Sequence, residues 1–296
     1  MRIGLHIASY MWPGGPDAIA RHLTEIARTA DEAGFARLSL MDHFFQIEGL
    51  GQHDDPVLEP YAALSYLAGV TKRLRLGALV TAVVFRHPGV LARSVSTLDV
   101  LSSGRAFLGI GAAWHGGEAH ALGVPFPPLK ERFERLEEAV QIMLRMWSDD
   151  STAYHGKHYE LAEPFNRPQP LSKPHPPILI GGMGEKKTLR LVAQYGDACN
   201  LFASGDYDAI RAKLAVLRQH CQEVGRPYDE IDRTAVGTID LRPGAMTIDD
   251  VIVNCRELAS AGIHELIVML PNAHEISPIE TIGRDVIPVV ADFDAA

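Results

Sequence analysis

Short apolar runs alternate with amphipathic helical runs along nearly the whole chain, and this alternation constrains the fold more than any other feature. Eight strand-like runs are each followed by a segment whose apolar residues recur every three or four positions. Strands that alternate with helices in this way form a parallel sheet with helices packed on it. Eight such units in 296 residues predict one (β/α)8 TIM barrel, an α/β fold that typically needs about 250 residues.

The boundaries of the elements follow from apolar spacing and from helix-stopping residues such as Gly34. The clearest helix has apolar residues at alternating spacings of three and four from Phe133 to Trp147. The expected strands cover residues 2–8, 37–41, 75–81, 106–111, 178–181, 197–201, 234–240 and 265–269. The expected helices cover residues 16–33, 58–71, 88–101, 130–147, 185–195, 207–224, 247–261 and 279–292.

One segment, about residues 151–177, interrupts the alternation. It contains a predicted hairpin around residues 154–160 and a proline-rich run. Because the alternation resumes afterwards, we interpret the segment as an insertion between helix 4 and strand 5, and residues 1–296 as a single domain. A doubly wound sheet fits less well, because the stretch that begins at Gly109 lacks the third glycine and no acidic strand end follows about 20 residues later.

The composition of the chain argues against several kinds of binding partner. The chain has 28 Lys and Arg against 37 Asp and Glu, a formal charge of −9, and no basic stripe with aromatic residues, so nucleic acid is not an expected partner. No apolar run approaches the ~18 residues of a membrane span, and no leader is recognisable, so we expect a cytoplasmic protein without membrane contact. The three cysteines are far apart, which predicts neither a disulfide framework nor a thiolate metal site.

A glycine-rich turn after the fifth strand is the first candidate binding element. The apolar run 178–180 precedes Gly181, Gly182, Met183 and Gly184, and a helical pattern follows. Free amides and the positive end of a helix dipole favour an anion at such a turn, and a phosphate is the expected guest. The alternative is that the glycines only tighten a turn. A P-loop does not match, because Glu185 stands before the lysine where the motif requires glycine.

In a TIM barrel the site forms at the carboxyl ends of the strands, so the residues there are the remaining candidates. They combine one carboxylate, one imidazole, apolar backbone and one tryptophan, a set that suits a flat, aromatic, phosphorylated cofactor. His43 is the candidate for moving a proton, with Asp42 beside it. The candidates are Asp42, His43, Leu79, Val80, Thr81, Gly111, Ala112 and Trp114.

A metal site is not expected. Only His6 stands on the first strand, where barrel hydrolases commonly carry paired histidines. His115, Glu118 and His120 are close in sequence, but their spacing does not place two ligands on one helix face.

Several motifs together resemble the bacterial luciferase-like superfamily and, within it, the oxidoreductases that use the deazaflavin coenzyme F420. The chain reads Met-Asp-His-Phe from Met41 and Gly-Ile-Gly-Ala-Ala-Trp from Gly109. It continues with Glu-Ala-His-Ala-Leu-Gly-Val-Pro from Glu118, Pro-Ile-Leu-Ile-Gly-Gly-Met-Gly from Pro177 and Gly-Asp-Ala-Cys-Asn from Gly196. The resemblance spans nearly the whole chain.

The resemblance implies a usually dimeric barrel that moves a hydride between C5 of the deazaflavin and an organic substrate. It implies that Asp42 and His43 lie beside the cofactor ring, that Gly181, Gly182 and Gly184 bind the phosphate, and that Gly111, Ala112 and Trp114 line the pocket. It also implies a non-proline cis peptide at Leu79–Val80.

The chain departs from the sugar-phosphate-oxidising members, which carry an acid close to the glycines where this chain has Ala112. We therefore expect an apolar substrate of unknown identity. Two alternatives stay open: an FMN-dependent luciferase-like monooxygenase, and a non-catalytic flavin-binding barrel.

Overall fold

The structure is a computed structural model, and it describes residues 1–294. Its strands are β1 (Arg2–Ile7), β2 (Arg37–Leu40), β3 (Arg75–Ala78), β4 (Thr81–Ala82), β5 (Leu108–Gly111), β6 (Tyr154–His155), β7 (Glu160–Leu161), β8 (Ile178–Gly181), β9 (Ala198–Phe202), β10 (Asp232–Thr238) and β11 (Glu265–Met269). Its helices are α1 (Pro16–Ala33), α2 (Pro60–Val70), α3 (Pro88–Leu101), α4 (Gly116–Ala121), α5 (Leu129–Trp147), α6 (Thr188–Tyr195), α7 (Tyr207–Val224), α8 (Ile248–Ser260), α9 (Ser277–Thr281) and α10 (Ile287–Val290).

The barrel sheet is parallel throughout, with the strand order β3-β2-β1-β11-β10-β9-β8-β5-β4. The segments β3 and β4 are two halves of the third barrel strand, separated by a cis peptide bond at Leu79–Val80. β4 pairs with β5, and Leu76 forms a parallel bridge with Ala106, so the two edges of the sheet meet. The predicted (β/α)8 barrel and the predicted cis peptide are both confirmed.

The strands are buried on both faces, as expected for a parallel sheet covered by helices. Leu5, Leu38 and Leu76 have no exposed surface. Each fully buried leucine contributes about 1.5–3 kcal/mol of hydrophobic free energy. Most of the apolar stripe of α5 packs into this core, but Phe133 lies half-buried and faces the cavity described below.

Helix ends match the sequence signals where those signals are strong. α1 begins at Pro16 and ends before Gly34, which adopts the left-handed conformation at φ +88°. α6 begins at Thr188, three residues later than predicted. The predicted last helix, residues 279–292, is broken into α9, a π-helical turn over Ile282–Val286 and α10. Pro288 explains the break, because it has no N–H to donate to the preceding turn.

The insertion forms the predicted hairpin. β6 and β7 pair antiparallel, and Glu138 of α5 accepts hydrogen bonds from the backbone N–H groups of Lys157, His158 and Tyr159. These bonds attach the hairpin to α5, on the outside of the barrel. In the described part of the chain, no helix combines the length and the apolar character needed to cross a bilayer.

Candidate active site

A cavity of about 730 Å³ opens at the carboxyl ends of the barrel strands. It brings together most of the predicted site residues, although they come from the ends of four different barrel strands and the loops that follow them. Its wall includes Asp42, His43, Leu79, Val80, Thr81, Gly111, Ala112, Trp114, Gly181 and Gly182. Met183 and Gly184 lie on the same turn but not in the wall.

The turn between β8 and α6 is shaped to leave space beside the cavity. Gly182 has φ +123°, a conformation that favours glycine. A Cβ atom on Gly181 would lie 2.8 Å from Val80 Cγ1, and one on Gly184 would lie 2.9 Å from Thr188 Oγ1. Side chains at these two positions would therefore collide with the cavity wall or with the start of α6.

The same turn carries free backbone amides. Within residues 1–294, the N–H groups of residues 183–188 donate to no protein acceptor, whereas Gly182 donates to the carbonyl of Asn200 at 3.3 Å. These amides lie at the positive end of the α6 dipole, where an anion is favoured. The buried hydroxyl-bearing residue Thr188 lines the cavity at this point. Sequence reasoning missed Thr188, because it placed the helix start at residue 185.

Asp42 is buried at the end of β2, and its partners come from the third strand and the following loop. Its carboxylate accepts hydrogen bonds from Ala82 N–H at 2.9 Å and from Arg86 Nη1 at 2.8 and 2.9 Å. Arg86 also pairs with Glu59 at the start of α2. Burial raises the pKa of Asp42, and the charge of Arg86 opposes this effect. Because the cationic Arg86 donates to both carboxyl oxygens, which favours the ionised form, we take Asp42 as a carboxylate that connects the loop after β2 to the third strand.

His43 contacts Glu118, a residue of α4. The distance from His43 Nδ1 to Glu118 Oε1 is 2.6 Å, and Glu118 Oε2 accepts the N–H of Phe44 at 2.7 Å. The edge of the His43 ring also faces Trp114, with ring centroids 5.9 Å apart. The sequence predicted no helix between residues 111 and 130, and α4 was missed because Gly116 and Gly117 are poor helix formers. The pairing of His43 with Glu118 was missed with it.

His43, His115 and Glu118 also place potential metal ligands within 4.8 Å of one another. Two ligand atoms of one zinc ion, each about 2.1 Å from the metal, lie roughly 3.4 Å apart in tetrahedral geometry. The 2.6 Å between His43 and Glu118 is instead the separation of a charge-assisted hydrogen bond. His120, considered with these residues from the sequence, is not part of the group.

The rest of the wall is apolar. Among residues 1–294, no lysine or arginine side chain lines the cavity. Trp114 is 67% exposed and Phe202 is 60% exposed, which is unusual for side chains of this size. His6, also in the wall, is buried, and burial lowers its pKa to about 4, so it is neutral near pH 7. The apolar part of the wall includes Ile47, Leu50, Phe85, Leu129, Phe133, Phe202, Val236 and Met269.

A parallel barrel with an apolar cavity at its carboxyl ends and an amide-rich turn beside it defines the class of TIM barrels that hold a ligand above the strands. A model of the luciferase-like monooxygenase family matches residues 1–246, and the chain belongs to this family.

Curated relatives with similar sequences carry F420-dependent names. The chain is 33% identical to the F420-dependent glucose-6-phosphate dehydrogenase of Kineococcus radiotolerans, over 72% of this chain and 61% of the relative. It is 30% identical to the protein of the same name from Amycolatopsis mediterranei, over 72% of this chain and 63% of the relative. The chain thus aligns with about three-fifths of the length of these relatives.

Solved structures confirm the fold. The coenzyme F420-dependent tetrahydromethanopterin reductase of Methanopyrus kandleri has a TM-score of 0.80 at 18% identity, covering 97% of this chain and 98% of that one. An F420-dependent secondary alcohol dehydrogenase in complex with an F420-acetone adduct has a TM-score of 0.83 at 17% identity, covering 98% of this chain and 99% of that one. A monooxygenase from Streptomyces bottropensis has a TM-score of 0.83 at 19% identity, covering 97% of this chain and 99% of that one.

Proposed function

We propose that the protein is an F420-dependent oxidoreductase that moves a hydride between the deazaflavin and an uncharged, largely apolar organic substrate. The observation that carries this proposal is the pairing of an amide-rich turn with an apolar cavity that contains His43. The turn offers the free amides of residues 183–188, and the cavity has the volume of a cofactor site. The F420-dependent names of the relatives at 30–33% identity support the choice of cofactor.

The residues present fit such a cofactor. The amides of the turn and the hydroxyl of Thr188 would hold its phosphate, and Leu79 and Val80 would pack against one face of its ring. The bound deazaflavin would supply the hydride chemistry. The protein would orient the ring, exclude water with its apolar wall, and move a proton through His43.

The charge of the wall indicates the kind of substrate. Recognition of a phosphorylated substrate normally uses lysine or arginine side chains, which the described cavity wall does not contain. Arg86 lies behind the wall, and its guanidinium is occupied by Asp42 and Glu59. We therefore infer that a sugar phosphate is not the substrate, although the relatives named above carry glucose-6-phosphate in their names.

An FMN-dependent monooxygenase is the second candidate, supported by the family description and by the monooxygenase of the same fold. FMN carries one phosphate, whereas F420 adds an acidic tail. A lysine that could meet that tail, Lys187, directly precedes α6 at the end of the turn. Lys187 stacks on Phe133, with its Nζ 5.1 Å from the ring centroid.

Two binding titrations test the proposal, one with F420 and one with FMN, each followed by the fluorescence of the cofactor. Tight binding of F420 with weak binding of FMN is the expected result. The reverse order would replace the proposal with the monooxygenase. Binding of neither cofactor would overturn both and leave no flavin chemistry for the cavity.

A further inference from the structure

Glu118 links two loops at the mouth of the barrel. It is 1% exposed and lies in the first turn of α4, after β5. Both of its partners, the imidazole of His43 and the N–H of Phe44, belong to the loop after β2. One buried carboxylate therefore holds both the side chain of His43 and the backbone that follows it.

The chemistry of this contact determines which nitrogen of His43 carries the hydrogen. Burial by itself raises the pKa of Glu118, but the hydrogen bonds from His43 and Phe44 outweigh it, so the pKa lies below the ordinary value. An ionised carboxylate can only accept hydrogen bonds. The hydrogen of the 2.6 Å contact must therefore be on His43 Nδ1.

The other ring nitrogen of His43, Nε2, has no partner in the described part of the chain and is available to a ligand in the cavity. Within residues 1–294, His43 Nε2 makes no hydrogen bond, and His43 lines the cavity. His115 does not compete for Glu118, because its Nδ1 is 3.6 Å from the same oxygen, outside good hydrogen-bond distance.

We propose that Glu118 is a positioning residue, which fixes His43 in the tautomer that carries hydrogen on Nδ1 and so presents Nε2 to the substrate. The use of Nε2 for proton movement rests on the proposed function. The tautomer itself does not, since it is a property of the protein without cofactor or substrate. A purely structural Glu118 would hold the Phe44 amide and leave the His43 tautomer free.

The direct test is the nitrogen NMR spectrum of the cofactor-free protein labelled with ¹⁵N-histidine. The His43 signals are assigned by their loss in His43→Gln. The expected spectrum at pH 8 shows hydrogen on Nδ1 of His43 and none on Nε2. Hydrogen mainly on Nε2 would overturn the proposal. This measurement needs no change at Glu118, so it stands even where a Glu118 variant folds poorly.

Glu118→Gln is the matching variant, because an amide keeps the shape but offers only one accepting oxygen for two donors. We expect mixed His43 tautomers in this variant. Glu134→Gln is the control, since Glu134 contacts His158 at 2.7 Å on the surface and should leave the His43 signals unchanged. An unchanged single tautomer in Glu118→Gln would contradict the proposal.

Kinetics separate this proposal from the cofactor assignment. If F420 binds, Glu118→Gln should lower kcat about 100-fold with KM and cofactor affinity within threefold, as expected for lost acid–base assistance. Wild-type kcat in this variant would overturn the positioning role. Failure of F420 to bind would overturn the proposed function while the tautomer result stands.

Discussion

Asp42 and His43 are neighbours in the sequence, but the structure gives them different partners and so different roles. Both oxygens of Asp42 are engaged by Arg86 and by the backbone of Ala82. His43 is held through Nδ1 alone, makes no hydrogen bond through Nε2 within residues 1–294, and lines the cavity. A carboxylate with two charge-assisted partners supports a wall, whereas an imidazole with a free nitrogen can exchange a proton. Of the two predicted catalytic residues, His43 is therefore the better candidate for the chemistry.

Replacing His43 by alanine tests this assignment. We expect turnover to fall at least 100-fold, because the site loses the group that moves a proton, while F420 affinity stays within tenfold. His158→Ala is the control, since His158 pairs with Glu134 outside the cavity and should leave turnover unchanged. Steady-state rates and a fluorescence titration on each variant provide the measurement. Unchanged turnover in His43→Ala would remove the catalytic assignment.

At the scale of elements, the sequence predicts whatever depends on local pattern. The bounds of α1 and α3 match the prediction at both ends, because apolar spacing, Pro16 and Pro88 define them. The short α4 was not predicted, since it depends on tertiary contacts such as the one between Glu118 and His43. Those two residues are 75 positions apart, and no local pattern connects them. The cis peptide at Leu79–Val80 was expected from the family resemblance alone.

The turn between β8 and α6 is the element that the cofactor proposal depends on, and Gly182→Ala tests it. A side chain at φ +123° forces the backbone to rearrange, at a cost of about 1–2 kcal/mol. Because this reorients the neighbouring amides, we expect F420 affinity to fall at least tenfold.

Gly225→Ala is the control for that experiment. Gly225 also has a positive φ, +71°, but it ends α7 away from the cavity. We expect a similar loss of stability in urea unfolding and no loss of F420 affinity. Equal affinity in the two variants would show that the turn does not hold the cofactor.

At the scale of the whole molecule, an ionic network closes the barrel at the end opposite the cavity. Asp232, which begins β10, contacts Arg2 of β1 at 2.6 Å, His264 at 3.1 Å and Arg37 of β2 at 3.6 Å. Glu265 of β11 binds the same two arginines. The network therefore connects four adjacent strands and includes the first and the last.

Asp232→Asn tests how much this network contributes. Burial raises the pKa of Asp232, but the hydrogen bonds and charges of His264, Arg2 and Arg37 lower it by a larger amount. The pKa of Asp232 is therefore below its ordinary value. A depressed carboxyl pKa stabilises the fold above the unfolded value of about 3.9, and this contribution is lost as pH falls toward the folded pKa. We expect the free energy of unfolding of the variant to be roughly 2 kcal/mol lower than that of wild type at pH 7. The loss is moderate because the side chain is 31% exposed and solvent partly screens its charge.

The difference in unfolding free energy between wild type and Asp232→Asn should shrink as the pH is lowered from 5 to 2, measured by urea unfolding. Asp229→Asn is the control. Asp229 is 94% exposed and lies 3.7 Å from Arg233, so its loss should have a small effect at every pH. A difference for Asp232→Asn that grows in acid would mean that the carboxylate is not stabilised by its neighbours.

The largely apolar wall of the cavity also determines how binding responds to temperature. When an apolar molecule leaves water for such a wall, apolar surface is buried on both partners, and the heat capacity of the complex falls below that of its parts. The enthalpy of binding then becomes more negative with each degree of warming, while the entropy change offsets most of that gain. Affinity for the substrate should consequently vary little over the temperatures at which the barrel is folded.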